Sequence, residues 1–106
     1  MKRHYLGEFD ELVLLVSCIL AKEGYGVAIQ QELEQQTGRV VAISAVHTAL
    51  HRLERKGFLQ SWVGGATNVR GGRRKRFFEV TSEGRDALAE ARRVRESLWQ
   101  LIPEPA

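Results

Sequence analysis

His47 and His51 stand four residues apart in the stretch HTALH, a spacing that sets two imidazoles on one face of a helix. The outline resembles a zinc-hydrolase motif, but Thr48 stands where the catalytic glutamate would be. A third ligand is not evident: His4 is near the terminus, and Cys18 among Val16, Ile19 and Leu20 reads as a buried thiol. No metal is therefore expected. A phosphate-cradling loop is missing too, because GGRRKR lacks the Lys-Ser/Thr ending and opens no helix. With no nucleophile, base or paired carboxylates in a convincing constellation, neither an enzyme nor a cofactor is expected.

What remains is cation chemistry. The chain of 106 residues carries a net charge of +3, which says little about partners. Its distribution says more. From Arg39 to Arg76 nine basic residues face one acid, Glu54, a balance of +8 that leaves −5 for the rest. A basic middle between acidic arms is the electrostatic footprint of a nucleic-acid surface, against the bland alternative of a solvated basic face.

Those cations need elements to position them. Residues 8–22 recur in Phe9, Leu12, Val13, Val16, Ile19 and Leu20, which predicts an amphipathic first helix. Gly24-Tyr25-Gly26 breaks it, and residues 27–37 form a second helix with Val27, Ile29 or Gln30, and Leu33 inward and Gly38 as its stop. A short β-rich piece over 39–43 follows. Ser44 then caps a third helix from Ala45 to Lys56, stopped by Gly57. Residues 58–63 and 75–80 are β-prone runs joined by a polar glycine-rich loop, so they predict a hairpin. Thr81 caps a fourth helix from Ser82 to about Ile102. The expected fold is mostly α with a small β-hairpin. It is a winged helix-turn-helix over residues 1–81, followed over 82–106 by a C-terminal dimerisation helix and a short tail.

Angular placement at 100° per residue gives the third helix its two sides. Val46, Ala49, Leu50 and Leu53 cluster inward, whereas Thr48, His51 and Arg55 point outward with His47 and Arg52 flanking them. With Ser44 at the helix start, this face can enter a major groove, where arginine reads guanine and hydroxyls reach either kind of base edge. Arg70, Arg73, Arg74, Lys75 and Arg76 of the wing are expected to hold phosphates or the minor groove. In the fourth helix Ala87, Ala91, Val94, Leu98 and Leu101 repeat as a heptad seam. Such a seam needs either the first helix of its own chain or the same helix of another copy. A homodimer interface of this seam with Trp99, Phe9, Val13 and Val16 is the expectation. Trp99 serves there as packing or as the wall of an effector pocket, and Trp62 is expected to pack against the body of the domain.

The segments GYGVAIQQEL (24–33), ISAVHTALHRLERKGFL (43–59) and GGRRKRFFEVTSEGR (71–85) resemble the PadR family of bacterial transcriptional regulators. The resemblance spans about residues 24–85 and implies a homodimeric DNA-binding repressor whose C-terminal helix forms much of the interface. A small apolar or aromatic effector is a further implied partner. The chain departs from the family at His47, where Tyr is usual, and at Thr48, often Pro. That leaves the fold untouched but transfers no operator sequence. The competing function is a winged-helix protein-interaction module with no sequence-specific DNA binding. The longest charge-free stretch near the start, Leu12 to Ala21, is too short to span a membrane, and positions 1–11 show no signal peptide, so a cytosolic location is expected.

Overall fold

A computed structural model describes residues 5–64 and 74–105 of the chain. Helix α1 (Glu8–Leu20) opens with Glu8, Asp10 and Glu11, acids at the end where the helix dipole favours them. It buries Val13, Leu14 and Val16, and the equally buried Ser17 hydroxyl donates to the Val13 carbonyl at 2.8 Å. The helix ends two residues before the sequence suggests: Ala21 adopts φ 52°, and a 3-10 turn (Ala21–Glu23) follows. Ile19, expected inward, is 63% exposed, and Cys18 is only half-buried. Its thiol is still pushed up from its ordinary value by burial, against an opposing pull from Arg85.

Helix α2 (Gly26–Thr37) packs Ile29 and Leu33 into the core, and Gly38 closes it in the left-handed region at φ 72°. Val27 faces solvent, contrary to its expected inward turn. The β-rich run after Gly38 is not a strand, because it has no neighbouring strand to pair with. Side chains of α2 substitute for one: the Val41 N–H donates to Glu34 Oε2, and Gln30 Nε2 donates to the Val41 carbonyl, both at 2.8 Å.

Helix α3 (Ile43–Arg55) starts one residue before the expected cap, with Ala42 at the N-cap position and Ser44 inside the first turn. Val46, Ala49, Leu50 and Leu53 are all fully buried. A Schellman ending stops it. Gly57 turns at φ 82° and donates to Glu54, and Phe58 donates to Leu53. Strands β1 (Leu59–Gly64) and β2 (Lys75–Val80) then pair antiparallel from Leu59↔Val80 to Gly64↔Lys75. The hairpin is sewn to the α1–α2 connection by a bond from the Phe78 N–H to the Gly24 carbonyl, 2.7 Å.

Thr81 caps helix α4 (Ser82–Gln100) as the sequence predicts: its Oγ1 accepts from the Gly84 N–H at 3.0 Å. The same hydroxyl donates to the Gly57 carbonyl at 2.6 Å, tying the end of α3 to the root of α4. Gly84 lies against the Phe58 backbone with no room for a Cβ. The helix runs past the first turn of α1, where Arg95 meets Glu11, and its last turns carry the exposed apolar residues. Ala87 is buried within the chain, but Val94, Leu98, Trp99 and Leu101 are exposed. The expected interface is corrected accordingly. Val13, Val16 and Ala87 are covered by their own chain's core, Phe9 is packed against it, and Ala91 is partly covered.

Candidate nucleic-acid interface

The outward side of α3 presents Ser44, His47, Thr48, His51 and Arg55, all exposed. The Thr48 hydroxyl donates to the Ser44 carbonyl at 2.9 Å, which leaves its oxygen free to accept. Arg52 departs from the expected set. Its Nε and Nη2 donate to Asp10 Oδ2 and Oδ1 at 2.7 and 2.6 Å, so the guanidinium fork is held by α1 rather than offered outward. The Asp10 carboxylate raises the Arg52 pKa further and keeps it charged. Asp10 itself is 5% exposed, a buried acid whose charge Arg52 compensates. Nothing in the sequence joins two residues 42 positions apart, and only the fold does.

The wing supplies the second wall. Arg74, Lys75 and Arg76 are exposed, whereas Arg70 and Arg73 lie outside the described residues. Lys75 Nζ sits 4.1 Å from the centroid of the Tyr25 ring, a cation–π contact. Tyr25 meets Phe77 edge-on, and Phe77 stacks on Trp62, each pair 5.8 Å apart. Trp62 thus stacks across the hairpin on Phe77, where the sequence suggested packing against the body of the domain. Arg76 Nη1 donates to Ser61 Oγ at 2.9 Å, and the Ser61 hydroxyl donates in turn to Glu54. The one acid of the basic segment is thereby turned toward the strand.

Between α3 and the wing runs a groove of about 340 Å³ lined by Tyr25, Gly26, Val27, His47, His51, Lys75, Arg76 and Phe78. It contains no carboxylate. Lys75 and Arg76 beside the two imidazoles would oppose a metal ion there, so the histidine pair fits an anionic partner better. Gly26 lies close to the His47 ring: a Cβ at that position would stand 2.6 Å from His47 Cε1. Tyr25 and Asp10 are the residues of this arrangement that the sequence reading missed. Tyr25 could have been found as an aromatic at a helix start, a place from which it can face a groove.

A three-helix body, an exposed polar helix face without a carboxylate and a basic β-ribbon beside it define a winged helix-turn-helix of the nucleic-acid-binding kind. Residues 15–90 match the transcriptional regulator PadR-like family. The chain belongs to that family, whose members are transcriptional regulators and not enzymes. It is 31% identical to an uncharacterized protein of Lysinibacillus sphaericus over 86 residues, 79% of this chain and 74% of that protein. The fold is shared with a PadR-like transcription factor from Bacteroides fragilis, with a TM-score of 0.72, 20% identity and coverage of 87% and 84% of the two chains. A PadR family transcriptional regulator from Eggerthella lenta superposes with a TM-score of 0.68 at 26% identity, over 84% and 75%. No described helix is long and apolar enough to cross a membrane.

Proposed function

We propose that this protein is a homodimeric, sequence-specific repressor of the cytosol, with double-stranded operator DNA as its partner. The groove between α3 and the wing carries the reading, because Lys75 and Arg76 line it and no carboxylate does. Ser44, His47, Thr48, His51 and Arg55 address base edges in the major groove. Arg74, Lys75 and Arg76 address the backbone, together with Arg70 and Arg73 of the wing tip. Arg52 belongs to the support of the helix.

The dimer rests on the outer half of α4. Val94, Leu98, Trp99 and Leu101 form an apolar stripe that its own chain leaves in water. Two copies joined there present two recognition helices to successive major grooves, and a protein seated on a promoter excludes polymerase. A groove of about 500 Å³ between α1 and α4, floored by Leu15, Leu88 and Ala89 and rimmed by the charged Glu11, Arg92, Arg93, Arg95 and Glu96, is the place for a small apolar or aromatic effector.

The test is a binding titration on the DNA upstream of the protein's own gene and on a random duplex of equal length, at several salt concentrations. Specific binding appears as a steep salt dependence on both and a gap of about 10³ or more between them. Equal affinity for the two duplexes would leave the protein-interaction module as the better description.

A further inference from the structure

The first turn of α1 holds three carboxylates, and each grips an arginine from a different part of the fold. Glu8 Oε1 accepts from Arg39 Nη1 at 2.8 Å, in the connection that leads into α3. Asp10 takes the two bonds from Arg52 of α3. Glu11 Oε1 accepts from Arg95 Nη2 at 2.6 Å, on α4.

These three pairs are unequal. Glu8 and Arg39 are both more than half exposed, so water and salt screen them. Asp10 and Glu11 are the sheltered acids, with side chains 7% and 14% exposed. They are consecutive residues, so their side chains leave the α1 axis about 100° apart. One turn of α1 therefore reaches α3 with one acid and α4 with the next. Arg95 is also the outermost residue of α4 that any hydrogen bond or ion pair ties to another element among the described residues. Past it come Leu98, Trp99 and Leu101, the exposed stripe.

We infer that Asp10 and Glu11 are positioning residues that fix the angle between α3 and α4, and through it the separation of the two recognition helices in the dimer. The inference rests on the dimer reading given under Proposed function. Neither acid touches DNA. An ion pair of this kind adds little stability, but the bidentate Arg52 fork and the Glu11–Arg95 contact define direction as well as distance. The selectivity they control is the spacing between half-sites, not the bases within one.

The probe is a duplex that the wild-type protein selects from a random pool, remade with its half-sites moved apart or together by one and two base pairs. Affinity for each is measured with wild type, Glu11→Gln, Asp10→Asn and the exchanged pair Glu11→Arg with Arg95→Glu. Sedimentation and thermal melting accompany every variant. Glu11→Gln is expected to stay dimeric and keep its half-site affinity. Its penalty for a wrong spacing should shrink by about two- to fivefold, the range an ion pair with one partner in solvent can supply. The exchanged pair should recover the wild-type profile, a rescue that simple loss of packing would not show. If Asp10→Asn fails to fold, Glu11→Gln decides alone. A profile unmoved in Glu11→Gln, or lowered equally at every spacing, would overturn the inference. Wild-type protein indifferent to spacing would overturn the dimer reading first, and this inference with it.

Discussion

Helices α3 and α4 are both amphipathic, yet what each lacks within the chain is different. Every inward apolar side chain of α3 is covered, and Leu50 and Leu53 are fully buried. On α4 cover stops near Ala87, and Leu98 and Trp99 stand 60% and 71% exposed. The polar sides reverse the order. Charges on α4 neutralise one another through Arg92–Glu96 at 2.8 Å and Arg93–Glu90 at 2.6 Å. The groove beside α3 has cations and no acid. One helix is short of anions and the other of apolar cover. That contrast separates the proposed surface for DNA from the proposed surface for a second copy.

The contrast breaks most sharply with Leu53→Ala. Truncating a fully buried leucine should cost about 2–5 kcal/mol, visible as a large fall in the melting temperature. The same truncation at Leu98 should leave the fold nearly as stable at protein concentrations where only monomer is present. If both cost the same there, the tip of α4 packs against its own chain.

Next comes Leu98→Asp, which places a charge in the proposed interface. Sedimentation should find a folded monomer where wild type is a dimer. A dimer of unchanged strength would move the interface elsewhere.

Two arginines three residues apart on α3 sharpen the division further. Arg52→Ala strands the Asp10 carboxylate in a buried site, so it should lower stability by about 1–3 kcal/mol whether or not DNA is present. Arg55→Ala should leave melting unchanged and cost about 1–3 kcal/mol on the operator if its guanidinium reads a guanine. Melting curves and operator titrations of the two variants together check this, and a swapped outcome would put Arg52 in the groove.

The smallest expected effect belongs to Arg74→Ala. Loss of a phosphate contact should lower the log–log salt slope by about 0.9, counted twice in a symmetric dimer, on operator and random DNA alike.

Much of this was legible in the residues. The inward set of α3, the span of β2 and the Thr81 cap follow from local pattern, and the structure agrees on each. Patterns failed where a distant side chain decides. The β-branched run at 39–43 has strand propensity, but Glu34 and Gln30 satisfy the Val41 backbone and no strand pairs with it. Angular placement put Arg52 at the edge of the outward face, and Asp10 pulled it in. The heptad seam is regular in spacing, although its first member, Ala87, is consumed by the chain's own core. Periodicity states which residues share a face; it does not say who covers it.

The close approach of Gly26 to His47 couples two positions that sit on different helices. Gly26 begins α2 without a positive φ, so its backbone accepts alanine. The new Cβ would stand 2.6 Å from His47 Cε1, the far end of an exposed side chain that can turn aside. Gly26→Ala should therefore fold normally and displace the imidazole from its place in the groove. With His47→Ala already in place, the same substitution should change nothing further there. What occupies residue 26 thus sets where the ring of residue 47 can rest.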